Sequence, residues 1–109
     1  MQVIRSNSFH ATIWIAGDID KATVVCRDYC DNVGLCVSIS TTEYVYTHGQ
    51  EKGIRVDFIN YPRFPSKFKD IKIHACRLGI LLKDELNQES FSIECSDFTY
   101  MYNFRKEVY

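Results

Sequence analysis

Four stretches of this chain alternate apolar and polar residues, and two longer stretches between them space their apolar residues by three and four. From Phe9 to Ala16, Ala11, Ile13 and Ile15 share one side while His10, Thr12 and Trp14 share the other, the period of a half-buried strand. Ile19, Ala22, Cys26, Tyr29, Cys30 and Val33 then recur at helical spacing. Asp18 stands where a carboxylate caps the first turn, and Gly34 where a left-handed residue stops the helix. Leu35, Val37 and Ile39 open a second strand that runs through Tyr44-Val45-Tyr46. The polar, glycine-bearing run Thr47–Gly53 reads as a hairpin loop longer than the tight two-residue kind. A third strand covers Ile54–Tyr61, with Ile54, Val56 and Phe58 facing one way and Arg55, Asp57, Ile59 and Tyr61 the other. Ser66 caps a second helix whose apolar residues run from Phe68 through Ile71, Ala75, Leu78 and Leu82 to Leu86. Phe91, Ile93 and Cys95 begin the last strand, which resumes after Ser96-Asp97 with Phe98, Tyr100, Tyr102 and Phe104.

The order β-α-β-β-α-β, with right-handed crossovers, places both helices on one sheet face. The expected fold is therefore a single α+β domain over residues 1–109, similar to the ferredoxin-like sandwich, with a four-stranded antiparallel sheet. One alternative stays open: if Ser96-Asp97 is a turn, the C-terminal segment forms an extra hairpin and a fifth strand. With 109 residues, 46% hydrophobic and 14% aromatic, the chain has the apolar content for one core. A net charge of −1 supplies no field to draw in a polyanion, which argues against nucleic acid. The N-terminal residues lack a secretion signal and no apolar run is long enough to span a membrane. The five cysteines are then expected as reduced thiols in a cytoplasmic protein.

One face of this sheet is left without helices, and Trp14, Tyr44, Tyr46, Arg55, Asp57, Ile59 and Tyr61 fall on it. Leaving large apolar side chains in water forgoes roughly 1.5–3 kcal/mol each, so a cover is expected: the C-terminal segment, a second copy of the chain, or a ligand. The loop Tyr61-Pro62-Arg63-Phe64-Pro65 is stiffened by its two prolines. It would present Arg63 and Phe64 at low ordering cost, the cation for a phosphate or carboxylate and the ring for stacking. Candidate ligand- or partner-binding residues are thus Trp14, Tyr44, Tyr46, Arg55, Tyr61, Arg63 and Phe64.

No catalytic constellation competes with that surface. Cys26 and Cys30 lie one turn apart on the apolar stripe, not at the paired spacing of a zinc site, and Cys36, Cys76 and Cys95 add no such pair. His10, His48 and His74 sit in separate elements without a nucleophile turn. Asp18 and Asp20, with Asp57 as the one evident third carboxylate, are the residues that could hold a divalent cation in a small phosphodiesterase or nuclease. No glycine-rich phosphate loop is present, and no cofactor or resident metal is expected.

Two resemblances add to this. Ile13-Trp14-Ile15 is similar to the first-strand motif of the RNA-recognition motif, with Trp14 at the stacking position, but Ile54 and Val56 stand where its third strand carries aromatics. The segments Ile13–Asp18, Cys26-Arg27, Cys30, Gly34–Val37, Thr42–Thr47 and Ile59–Pro65 resemble a group of small bacteriophage proteins. That group brings no assigned activity and so no functional residue. The resemblance implies action on a host protein or a small host molecule. The expected function is a non-catalytic binding module, an accessory or counter-defence protein that holds a host protein or a nucleotide-like ligand, and that self-associates. The alternatives are the metal-dependent phosphodiesterase or nuclease and a binder of single-stranded nucleic acid.

Overall fold

The computed structural model describes residues 1–105. Strand β1 (His10–Ala16) leads to helix α1 (Ile19–Val33), then β2 (Ser38–Tyr46), β3 (Gly49–Ile59), helix α2 (Phe68–Glu85), β4 (Ser90–Cys95) and β5 (Thr99–Asn103). The result is an α+β protein with two helices and one antiparallel sheet of five strands, ordered β2-β3-β1-β4-β5. Five strands replace the expected four. Ser96 and Asp97 form a turn, closed by the Cys95 amide on the Phe98 carbonyl at 2.9 Å and by the Asp97 carboxylate accepting from the Phe98 amide at 2.7 Å.

The alternation in β1 and β3 was read in the right phase. Ala11, Ile13, Ile15, Ile54, Val56 and Phe58 are all at most 2% exposed and pack with Ala22 and Cys26 of α1 and Ile71, Ala75, Leu78 and Leu82 of α2. Trp14, Arg55 and Asp57 lie on the reverse side, since register pairs Trp14 with Arg55 and Thr12 with Asp57. Among the described residues, the C-terminal segment turns its tyrosines away from that side. Tyr100 and Tyr102 pair with Ile93 and Phe91 and so face the helices, where Tyr102 stacks on Phe91 with centroids 5.0 Å apart.

Local chemistry sets the helix ends. Asp18 caps α1, accepting from the Lys21 amide at 3.1 Å, and Gly34 ends it at φ 70°. Helix α2 departs from expectation: Lys67 occupies its N-cap without a side-chain bond, and the Ser66 amide instead donates to Asn60 Oδ1 at 2.8 Å. Asn60, 9% exposed, also donates to the Asn7 carbonyl at 2.9 Å and so ties the N-terminal segment to the loop.

The β2–β3 connection is the main local correction. Strand pairing begins at Ser38, three residues later than expected, but it continues to Tyr46 opposite Gly49. The turn is the two residues Thr47-His48, with His48 at φ 65°. Gly49 and Gly53, taken from sequence as loop breakers, lie inside β3. A Cβ at Gly53 would run into the Tyr44 ring and one at Gly49 into the Tyr46 ring. Cross-strand rings over glycines extend the ladder. Because β1 ends at Ala16 opposite Gly53, the pair beyond that point projects as a ribbon, and the molecule, ribbon included, measures 56 × 28 × 25 Å.

Candidate functional site

The end of β1 is where three segments converge. Gly17, at φ 141°, donates its amide to the Lys52 carbonyl at 3.2 Å, and a Cβ there would stand 2.9–3.1 Å from the Leu86 side chain. That close approach requires glycine. It brings the β1–α1 turn, the β2–β3 ribbon and the α2–β4 connection around a cleft of ≈ 670 Å³. Ala16 to Ile19 form its floor, Thr41, Thr42, Glu43, Glu51 and Lys52 one wall, and Gln88 the other. Asn87, at φ 54°, turns the chain so that Gln88 reaches this wall. Asp18, Glu43 and Glu51 against Lys52 make the lining net acidic, with Glu43 beside Lys52 on the helix side of the ribbon and Glu51 beside Tyr44 on the uncovered side.

A second hollow, of ≈ 320 Å³, opens onto the uncovered sheet face between Trp14, Tyr44, Tyr46, Ser90 and Ser92. Ala16, Glu51 and Gln88 line both hollows, which makes them one trough with an acidic end and an aromatic end. The Tyr44 hydroxyl donates to the Ile54 carbonyl at 3.2 Å and lies 3.4 Å from that of Ile15. Burial raises its pKa, so the ring stays neutral and fixed.

Trp14 is held from two sides. Its indole N–H donates to Glu94 at 3.0 Å, and the Arg55 guanidinium lies 4.7 Å from its ring centroid. Arg55 in turn donates twice to Asp57, at 3.0 and 2.8 Å, and Thr12 donates to the same carboxylate at 2.7 Å. Burial alone would raise the Asp57 carboxyl, but the hydrogen bonds from Arg55 and Thr12 outweigh it and hold its pKa below the ordinary value. Arg55 is therefore engaged by the sheet itself.

The structure separates the remaining candidates. Tyr61 and Phe64 pack on each other with centroids 5.5 Å apart, and Arg63 and Phe64 are exposed in the turn that follows β3. Ten residues of extended chain separate Tyr61 from Glu51, the partner of Tyr44, which is roughly 30 Å. The loop and the aromatic hollow are thus two places. Nor do the aspartates converge: Asp18 caps α1, whereas Asp57 lies four strand positions beyond the Ala16–Gly53 pair, ~13 Å away. Among the described residues no group of three His, Cys, Asp or Glu side chains could hold a metal ion. The alternative of a metal-dependent phosphodiesterase or nuclease loses its constellation.

Strand phase placed Trp14, Tyr44 and Tyr46 on the uncovered face, where the structure has them, and it singled out none of Glu43, Glu51 and Gln88, which line the cleft. Glu51 had been placed in a loop. The signal that would have found it is the spacing of two tyrosines against two glycines, Tyr44 with Gly53 and Tyr46 with Gly49.

No protein-family model matches the chain, and no curated protein sequence matches it. Two solved structures are similar over nearly the whole length. One is a phage SAM lyase in the apo state, with a TM-score of 0.74, 20% identity, and coverage of 100% of this chain and 98% of that chain. The other is a phage SAM lyase in complex with S-methyl-5′-thioadenosine, with a TM-score of 0.71, 19% identity, and coverage of 94% and 95%. At this identity the likeness is one of fold. Both neighbours are phage proteins, in keeping with the phage-type resemblance, and one holds a small nucleoside, in keeping with a nucleotide-like ligand. Both are also enzymes, and that overturns the expectation of a non-catalytic binding module: proteins with this fold from end to end cleave a small molecule.

Proposed function

We propose that the chain is a lyase that cleaves S-adenosylmethionine and releases S-methyl-5′-thioadenosine. The observation that carries the reading is the end-to-end fold likeness to phage SAM lyase. The trough supports it chemically. S-adenosylmethionine is a net cation, with a sulfonium and an ammonium against one carboxylate. It also carries a flat purine. An acidic hollow beside an aromatic one fits both halves. In this reading Trp14, Tyr44 and Tyr46 offer the surface for the adenosine, while Glu51, on the same face as Tyr44, meets the amino-acid end.

The reaction asks little of the protein. The sulfonium leaves as a neutral thioether, so no acid is needed. The substrate's own carboxylate can displace it: an oxygen attacks Cγ, the Cγ–S bond breaks with its pair going to sulfur, and a lactone is released beside the thioether. No proton moves. Charge is annihilated in that step, so a carboxylate against the sulfonium would stabilise the substrate more than the transition state. The productive place for Glu51 is at the ammonium, with the apolar rings at the sulfonium. The rings then cost the departing charge nothing, and the carboxylate holds the substrate folded for attack.

The finer expectations belong with this reading. The first four strands and two helices form a ferredoxin-like sandwich extended by β5. Activity in the host cytoplasm, by destroying a methyl donor, is a counter-defence activity that fits a phage-type protein. No helix among the described residues is long and apolar enough to cross a membrane. Val45 and Tyr46, 77% and 54% exposed on the projecting ribbon, suit self-association, which native mass spectrometry reads directly. The test of the function is chromatography of S-adenosylmethionine incubated with the purified protein in the presence of a chelator. Accumulation of S-methyl-5′-thioadenosine above the spontaneous rate supports the reading. Substrate left intact by folded protein overturns it.

A further inference from the structure

Away from the trough, the other end of β2 carries a cluster that the lyase chemistry does not use. A hollow of ≈ 290 Å³ between the last turns of α1 and the start of β2 is lined by three thiols, Cys26, Cys30 and Cys36, together with Arg27. They differ in access: Cys26 is buried, Cys30 half-buried and Cys36 exposed. The helix end makes the pair. The Gly34 and Leu35 amides both donate to the Cys30 carbonyl, at 2.9 and 3.3 Å, so the chain reverses over the residue it has just left. Cys36 and Val37 thereby return to the hollow that Cys30 lines.

We propose that Cys30 and Cys36 are a reactive dithiol that closes to an intramolecular disulfide when the protein meets a peroxide. The exposed thiol reacts first. The Cys36 thiolate attacks one peroxide oxygen, the O–O bond breaks, and the departing hydroxide takes up a proton, leaving Cys36 as a sulfenic acid. The Cys30 sulfur then attacks the Cys36 sulfur. The hydroxyl leaves with the Cys30 proton as water and the S–S bond remains. Two thiols are oxidised and one peroxide is reduced to two waters. Cys26 takes no part, because it is buried one turn back and its thiol is pushed up to about 12 by that burial and by Cys30. Burial, and then the neighbouring Cys36, likewise raise Cys30. Cys30 is thus the resolving partner and Cys36 the one that meets the oxidant. Closure fastens the C-terminal turn of α1 to the segment that enters β2.

The full chain treated with hydrogen peroxide, then alkylated and digested with trypsin, tests this. Cleavage after Arg27 and Lys52 leaves Cys30 and Cys36 in one peptide and Cys26 in another. The expected result is loss of two hydrogens in the Asp28–Lys52 peptide, with both its cysteines protected from alkylation and restored by reductant. Cys36→Ser abolishes the change, and Cys76→Ser leaves it. Since the wild-type digest is itself decisive, misfolding of a serine variant does not spare the proposal. It is overturned if Cys36 ends as a sulfinic acid or an intermolecular link while Cys30 remains open to alkylation, or if Cys26 is the partner found.

Discussion

The ring of Tyr44 on β2 occupies the space above Gly53 on β3, where any Cβ would meet both that ring and, at 2.8 Å, the Ile15 carbonyl oxygen. One glycine thereby sets the position of an aromatic wall and the spacing of the β1 edge beside it. Gly53→Ala must displace backbone as well as the ring. We expect a loss of about 1–3 kcal/mol, read as a fall in Tm of roughly 5–15 °C by circular dichroism. Tyr44→Ala combined with Gly53→Ala recovers only the part due to the ring.

Glu51 lines both hollows, so its neutral isostere isolates its charge. If it holds the substrate ammonium, Glu51→Gln raises KM about tenfold, ~1.4 kcal/mol, and leaves kcat nearly unchanged. Steady-state kinetics at fixed ionic strength separates the two constants. A fall in kcat at constant KM would place Glu51 at the reacting atoms instead.

Asp57 makes stability depend on acid. Its folded pKa lies below the ordinary 3.8. Its contribution is therefore complete above that value and is lost as pH falls from about there through the lower folded pKa. Asp57→Asn should destabilise the protein at neutral pH by about 1–3 kcal/mol. It should also shrink the difference from the parent as the medium is made acid. Urea melts at pH 7 and pH 3 measure both; equal differences at the two values would contradict the assignment.

Trp14 is the one tryptophan, and it borders the aromatic hollow. Titration with S-methyl-5′-thioadenosine should change its emission saturably. Trp14→Phe should keep the fold, since the indole is half-exposed and only its bond to Glu94 is lost. Unchanged emission at saturating nucleoside would place the ligand elsewhere.

Strand phase was legible because burial of one face leaves no freedom: Ile13 and Val56 pair directly in the core, and a slip by one residue would expose both. Asp18 and Gly34 announced their helix ends through side-chain chemistry alone. The ribbon was not legible. Glycine reads as a breaker unless the tyrosine that covers it is placed on the neighbouring strand, and that is a long-range fact. For the same reason the acidic lining stayed hidden: Asp18 and Glu51 are 33 residues apart and border one cleft because the Gly17 amide joins the Lys52 carbonyl. The lyase activity proposed above would leave no motif, on different grounds. Motif reading looks for nucleophiles and bases held in the chain, and a sulfonium that departs unaided requires neither.

Beyond the bonds that Lys52 and Tyr44 make at its root, the ribbon is a pair of strands with no third strand beside it among the described residues, and two-stranded pieces are marginal in water. Its amides should therefore exchange with solvent deuterium far sooner than those of β1 and β4, which are paired on both sides. Tyr44 and Glu51 sit at its root. A nucleoside resting there would be gripped by the most labile and the most durable parts of the sheet at once, so occupancy should slow exchange along the ribbon while the centre keeps its own rate.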